Sequence, residues 1–170
     1  MSTHLSAIPM RPLIVALLAG GALFGATGAL AGECPKDKVL AQPREIEDMP
    51  SIGVERETLS VANLKDWRGV GDLYLRTRRL TIAKDGIIPT HSHEDRPALV
   101  YIIKGELIEH SSLCAVTFVH RAGEISYEWG KGYDHWFANQ SGAEVVLISS
   151  DVIPPEFFDP GSEHLKEHTH

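Results

Sequence analysis

The 170-residue chain is acidic, with a formal net charge of −7 at pH 7, and its length allows one domain. This charge excludes nucleic acid as an expected partner, because phosphates require a basic protein surface. No segment after residue 31 is long and apolar enough to cross a membrane.

Residues 1–31 predict a secretory signal peptide. Arg11 precedes an apolar run that is broken by glycines and ends in Ala29-Leu30-Ala31, an A-x-A cleavage pattern. Cleavage after Ala31 predicts a periplasmic or secreted protein that has no membrane partner. An uncleaved membrane anchor is the alternative.

Residues 32–71 are interpreted as an N-terminal arm. Its first part is polar and contains three prolines, which predicts an extended chain, and the stretch LSVANLKDWRG at residues 59–69 predicts a short helix or a turn. Cys34 in the arm and Cys114 form an even pair, which suggests one disulfide in an oxidising compartment. Two unrelated free thiols are the alternative.

Residues 72–153 carry short β-rich runs separated by glycine-containing turns, among them Lys84-Asp85-Gly86. Short strands at near-regular spacing predict an all-β sandwich or barrel. Residues 154–170 form a polar tail bounded by prolines. Its three histidines, His164, His168 and His170, would capture a loose metal ion or simply be solvated.

His91 and His93 are the first candidate metal ligands. Side chains alternate between the two faces of a strand, so these imidazoles point the same way and are close enough to share an ion. Neutral imidazole suits zinc, copper, iron and nickel. A solvent-facing polar pair is the alternative for an H-x-H motif taken alone.

A second glycine-rich stretch strengthens the metal hypothesis, because the two stretches together resemble the motifs of the cupin superfamily. The first motif is matched by Gly86, His91, His93 and Gly105, and the second by Gly123, Gly132, His135 and Asn139. The resemblance covers about residues 72–152. It implies a single-domain cupin β-barrel, or double-stranded jelly roll, with a metal in its mouth. Cupins often pair through sheet edges and N-terminal arms, so a homodimer stays open.

The acidic ligand of the cupin pattern falls at Ala98 in this chain, and Glu94 and Asp95 would reach the site only through a tight reversal. The expected metal ligands are therefore His91, His93 and His135. The motif does not distinguish among iron, copper, zinc, nickel and manganese.

Three neutral ligands leave a divalent ion with its full charge, which favours a small anionic ligand or substrate. Thiol dioxygenases of the cupin superfamily use three-histidine iron, so the resemblance implies a metal-dependent oxygenase on a small anionic molecule. The alternative is a non-catalytic periplasmic protein that binds a small ligand or a metal. The sequence identifies no catalytic side chain.

Strand alternation sorts the residues around this position. Ala98, Val100 and Ile102 share one face and are expected to line an apolar interior, whereas Tyr101 is expected outside. A barrel lined in this way offers no polar group for catalysis, which favours binding or chemistry left to the metal.

The remaining polar candidates are expected mainly at the surface. Arg76 and Arg78 share a strand face and are interpreted as solvated, with carboxylate binding as the alternative if that face is inward. His110 and His120 lack paired spacing and are expected in solvent. Trp136 is interpreted as packing, or as a wall beside His135.

Overall fold

A computed structural model describes residues 32–158. The predicted signal peptide and the histidines at positions 164, 168 and 170 lie outside the described residues. Within residues 32–158 no helix is of sufficient length and apolar character to span a bilayer. The helical segments among residues 32–158 are two short 3₁₀ turns, Lys36–Lys38 and Pro155–Phe157.

Eight strands account for most of the described chain. They are β1 Ile52–Asn63, β2 Tyr74–Ser92, β3 Ala98–Lys104, β4 Glu106–Ser111, β5 Phe118–Arg121, β6 Ile125–Glu128, β7 Asp134–Ala138 and β8 Val145–Ile153. Their hydrogen-bonded order is β5-β4-β7-β2-β8-β3-β6, with β1 paired to β2, and every pairing is antiparallel. The strands curve into a nearly closed barrel, which confirms the predicted all-β jelly roll.

Strand β2 belongs to both layers of this barrel. Its first half pairs with β8 as far as Ile82, and its second half pairs with β7 from Ile87 onward. The predicted turn at residues 84–86 is wrong, because the strand continues through it as a bend in which Asp85 has φ +60°. A Cβ at Gly86 would lie 2.8 Å from the carbonyl oxygen of Ala83, so only glycine fits the bend. After the bend, β2 continues in the second layer, where His91 of the H-x-H motif pairs with β7.

The core lies between the two layers and is built by period-two alternation. In β8 every second residue is buried, from Val145 to Ile153. Ala98, Val100 and Ile102 are buried as expected, and Tyr101 is 44% exposed on the outer face. The predicted apolar lining of this strand is therefore confirmed.

The arm is fastened to the barrel at both ends. Cys34 and Cys114 form the predicted disulfide, and Val39 makes a β-bridge with Cys114. At the other end, residues 52–63 pair along β2 as strand β1. Of the short helix or turn predicted within residues 59–69, the helix is wrong, because residues 59–63 end β1, whereas the turn is confirmed over residues 65–69. Val61 pairs with Arg76, so long-range pairing with β2 overrides the local pattern.

Candidate metal centre

The two motif histidines and His135 meet at one point of the barrel. His91 in β2 is the register partner of His135 in β7, and their Nε2 atoms lie 3.2 Å apart. His93 follows β2 directly, and its ring centroid lies 4.8 Å from that of His91 and 4.9 Å from that of His135. The structure thus brings all three predicted ligands together.

A carboxylate joins the three histidines, contrary to the expectation of a purely histidine site. Glu128 in β6 is buried, and its Oε2 lies 3.2 Å from Nε2 of His93 and 3.8 Å from Nε2 of His135. One ligand atom from each of the four residues lies within 4.8 Å of the others. Glu94 and Asp95, considered earlier as candidates, are exposed.

Strand pairing explains where this carboxylate comes from. Glu128 is the register partner of Ala98, the position at which the cupin motif would place its acid. The carboxylate therefore approaches from the neighbouring strand. Alternation in ISYE gave no signal for this carboxylate, because the structure buries Ser126 and Glu128 and exposes the larger Ile125 and Tyr127. This pattern places polar groups inside the barrel, the reverse of the usual arrangement.

Each histidine is held by a second contact at its other ring nitrogen. Nδ1 of His91 lies 2.7 Å from the carbonyl oxygen of Pro89, and Nδ1 of His93 lies 2.7 Å from that of Arg96. Nδ1 of His135 lies 3.0 Å from Oε1 of Glu109. A carbonyl oxygen or a carboxylate accepts the Nδ1–H, which leaves the Nε2 lone pairs free to bind a metal.

Glu109 in β4 is the central residue among the contacts that surround the histidines. It also accepts hydrogen bonds from Nε2 of His120, at 2.6 Å, and from the hydroxyl of Tyr133, at 2.7 Å. The expectation that His120 lies at the surface is wrong: its side chain is 1% exposed, because β5 turns this residue inward toward Glu109. Although burial opposes it, the charge of His135 and the hydrogen bonds from His120 and His135 lower the pKa of Glu109 to about 2.

Burial determines the direction of the pKa shift at three of the four candidate ligands. It lowers the pKa of His91 to about 2 and that of His93 to about 3, so both imidazoles are neutral. It raises the pKa of the Glu128 carboxyl to about 7. Although burial opposes it, the carboxylates of Glu128 and Glu109 raise the pKa of His135.

The cluster fits a divalent transition metal. Among the described residues, Nε2 of His93 and Oε1 of Glu128 are buried without a hydrogen-bond partner. Such buried groups are normally satisfied, and a cation would satisfy both. Three imidazole nitrogens and one carboxylate oxygen are ligands typical of first-row metals. A cation would also favour the ionised form of Glu128, opposing the effect of burial on its pKa.

A cavity of about 150 Å³ adjoins the cluster, lined by His91, His93 and Glu128. Its other walls are mainly apolar, but three arginines also line it, namely Arg56, Arg78 and Arg96. The barrel interior is therefore both apolar and positively charged. The expectation of no polar group inside the barrel is wrong, since its basis was the β3 lining alone.

The expectation that Arg76 and Arg78 are solvated is also wrong. Asp151 in β8 is the register partner of Arg76, whose Nε and Nη2 donate to its two carboxylate oxygens at 3.1 and 2.8 Å. Nη2 of Arg78 donates to the same carboxylate at 3.1 Å. Burial lowers the pKa of Arg78 to about 10, which still leaves it charged at neutral pH. A buried acid on the paired strand turns these arginines inward.

The indole of Trp136 points away from the histidine cluster. The indole of Trp136 stacks on the imidazole of His110 at a centroid distance of 3.6 Å, and neighbouring strand residues point to opposite faces. Trp136 is therefore packing rather than a wall beside His135. His110 is only partly buried, and Trp129 is 54% exposed.

The strand order and the nearly closed barrel are those of an all-β jelly roll, and the buried cluster is a His/Glu candidate metal site. No protein-family model matches the chain, and no curated protein sequence matches it. Solved structures of cupin and double-stranded β-helix proteins do match it with high probability.

Three of these structures illustrate the range of matches. A Klebsiella pneumoniae protein with a double-stranded β-helix domain is 18% identical, with 64% of this chain and 88% of that chain covered and a TM-score of 0.47. A predicted oxalate decarboxylase from Thermotoga maritima is 17% identical, with 71% and 98% covered and a TM-score of 0.43. The Cnp3 cupin domain of Schizosaccharomyces pombe is 12% identical, with 60% and 62% covered and a TM-score of 0.45.

This chain spans less than two thirds of three of the matched structures: 62% of the Cnp3 domain, 63% of the BH2720 protein of Bacillus halodurans and 65% of an oxalate oxidase. At these identities and TM-scores, the matches carry no argument about activity. The functional argument therefore rests on the side chains of this molecule.

Proposed function

We propose that the protein is an exported cupin-fold metalloprotein. His91, His93, Glu128 and His135 hold a divalent transition metal, and the adjoining cavity brings a small anionic molecule to it. The observation that supports this most is the convergence of one ligand atom from each of four residues within 4.8 Å. Nε2 of His93 and Oε1 of Glu128 are in addition buried without a hydrogen-bond partner among residues 32–158. Such an arrangement is costly unless a cation completes it.

The groups that contact the Nδ1 atoms of the histidines orient the candidate ligands. Glu109 and the carbonyl oxygens of Pro89 and Arg96 fix the orientation of the three imidazoles before a metal binds. Glu128 supplies one negative charge, so a divalent ion there keeps one net positive charge. That charge and the cavity arginines favour an anionic ligand over a neutral one.

The apolar wall residues exclude water from the space beside the cluster; they are Leu80, Ile88, Val100, Phe137 and Leu147. A bound iron or copper ion would supply oxygenase chemistry, and a bound zinc ion would supply Lewis acidity. The chain's own residues would then bind the anion, orient it and keep the site dry.

A non-catalytic role is the second candidate. Apart from His91, His93 and Glu128, the ionisable groups that line the cavity are arginines, which hold their protons at neutral pH and do not act as bases. A periplasmic binder of a small anion or of the metal itself would need only this arrangement.

The metal content of the protein recovered from the periplasm tests the proposal. We expect about one transition-metal ion per chain in the parent, loss of that ion in His135→Ala, and retention in His110→Ala. His110 is a matched control because it is a histidine on the outer face, stacked on Trp136. An N-terminus at Gly32 supports export with cleavage. A parent that binds no metal after reconstitution with iron, copper, zinc, nickel and manganese contradicts the proposal.

Uptake of O₂ by the metal-loaded protein separates the two roles. Consumption of O₂ in the presence of a small acid, abolished in His135→Ala, supports the oxygenase. Metal and anion binding without any turnover supports the binder.

A further inference from the structure

Two guanidinium groups in the cavity wall have unused hydrogen-bond donors. Nε of Arg78 and Nε of Arg96 are buried and have no hydrogen-bond partner among the described residues. A guanidinium presents five donors in a fixed fork, and an unpaired buried donor of this kind is costly. These donors therefore mark a position where an acceptor is missing.

Positive charge exceeds negative charge on this side of the cavity. Asp151 is the carboxylate paired with Arg78, and it is shared with Arg76. Arg96 has weaker contacts: its Nη2 lies 3.5 Å from the carbonyl oxygen of Ser92, and its guanidinium lies 5.6 Å from the centroid of the Phe157 ring. Among the described residues that line the cavity, the guanidinium groups of Arg56, Arg78 and Arg96 thus outnumber the one carboxyl group, that of Glu128.

The two arginines share the cavity with the metal ligands. Arg78 and Arg96 line the same space as His91, His93 and Glu128. Arg96 is tied to the cluster through the chain as well, since its carbonyl oxygen lies 2.7 Å from Nδ1 of His93. A molecule held by these arginines therefore lies beside the metal ligands.

We infer that Arg78 and Arg96 form a carboxylate anchor, and that the ligand is a short aliphatic acid whose other end lies at the metal cluster. A carboxylate supplies paired planar acceptors that match the guanidinium fork. The apolar side chains of Leu80, Val100 and Leu147 suit a hydrocarbon segment between the two ends. A cavity of about 150 Å³ holds a molecule of about six to eight non-hydrogen atoms.

The anchor consists of residues other than the proposed metal ligands. The inference rests on the proposed function only where it places the far end of the ligand at the metal cluster.

Calorimetric titration of the full chain tests the anchor. The metal-free and the zinc-loaded protein are each titrated with butyrate, succinate, butyramide and inorganic phosphate. We expect the carboxylates to bind the metal-free protein and butyramide not to bind. Zinc should strengthen the binding of succinate more than that of butyrate, because only succinate carries a second carboxylate.

Arg96→Gln is the decisive variant, because it keeps the backbone carbonyl that holds His93. We expect it to weaken carboxylate binding by about 10- to 100-fold in the metal-free protein. Arg79→Gln is the matched control: Arg79 lies on the same strand as Arg78 but is exposed and pairs with Glu57. It should bind carboxylates like the parent. Arg78→Lys supplies a second variant that retains the charge near Asp151 but loses the fork, and it should also weaken binding.

Several outcomes would overturn the anchor. These are equal binding of butyramide and butyrate, tighter binding of phosphate than of either carboxylate, carboxylate affinity unchanged by Arg96→Gln, and no carboxylate binding by the parent. Failure of the anchor and failure of the metal site are distinguishable. If the parent binds metal, His135→Ala loses it and no carboxylate binds, then the carboxylate anchor is wrong and the metal site stands. If carboxylates bind in a manner that depends on Arg96 but the parent binds no metal, then the anchor stands and the metalloprotein proposal is wrong.

Discussion

Two buried carboxylates flank His135, and their environments are opposite. Glu109 faces Nδ1 of His135 and accepts hydrogen bonds from three side chains, whereas Glu128 faces Nε2 and has one oxygen without a partner among residues 32–158. The pKa of Glu109 is lowered to about 2, despite its burial, by His135 and the donors around it. Burial raises the pKa of Glu128 to about 7.

The difference separates a residue that builds the site from a residue that is available to a ligand. Glu109 is satisfied by the protein alone, so its contacts contribute to the folded state and orient His135. Glu128 is satisfied only when something else enters, so its burial costs free energy in the metal-free protein. The same residue type therefore has two roles: Glu109 stabilises the fold on one side of the His135 imidazole, and Glu128 is available to a ligand on the other side.

Removing the charge of Glu109 is expected to have the largest effect. Glu109→Gln leaves donors from His120, Tyr133 and His135 facing a neutral amide, so the free energy of unfolding of the metal-free protein should fall by about 3–5 kcal/mol. Metal affinity should fall about 10- to 100-fold, because His135 loses its orienting carboxylate. Urea denaturation and zinc titration measure the two effects. An unchanged free energy of unfolding would show that the three hydrogen bonds contribute nothing.

Loss of the disulfide comes next and separates stability from metal binding. Replacing Cys34 and Cys114 by serine should lower the free energy of unfolding by about 2–4 kcal/mol, because the bond closes a long loop, with a sequence separation of 80. The metal affinity of the folded variant should match that of the parent. If this variant lost metal as Glu109→Gln does, the effect of Glu109 on the metal would reflect general destabilisation rather than orientation of His135.

Glu128→Gln should give the opposite profile to Glu109→Gln. Metal affinity should fall about 10- to 100-fold, or by about 1.4–2.7 kcal/mol, because an anionic ligand becomes neutral. The free energy of unfolding of the metal-free protein should stay within about 1 kcal/mol of the parent or rise, since the change removes a buried carboxylate that has one oxygen without a hydrogen-bond partner. Competition with a chelator and urea denaturation provide the measurements. A large loss of metal-free stability would erase the distinction between the two carboxylates.

The smallest effect is expected from Tyr133→Phe. This change removes one of the three hydrogen bonds to Glu109 and leaves those from His120 and His135 in place. The free energy of unfolding should fall by about 1.5 kcal/mol, the value for one hydrogen bond to a charged group. Metal affinity should change less than about threefold, because His135 keeps its orientation. A larger fall in metal affinity would mean that Tyr133 itself shapes the metal site.

The sequence by itself determined the elements that depend on local pattern. Alternation and glycine turns predicted the all-β barrel, two cysteines predicted the disulfide, and the spacing of His91, His93 and His135 named three residues that the structure brings together. None of these signals needs knowledge of which strands pair. Alternation with period two places side chains on a face without reference to any partner strand, and the cysteine pair and the histidine motif are read directly from the sequence.

Only the tertiary structure decided which buried polar groups meet. The pairing of β3 with β6 sets Glu128 opposite Ala98, and the pairing of β2 with β8 sets Asp151 opposite Arg76. A shift of one residue in either register would turn these side chains to the opposite face. Register is a property of two strands distant in the chain, so the carboxylate of the candidate metal site and the inward arginines became visible only in the folded barrel.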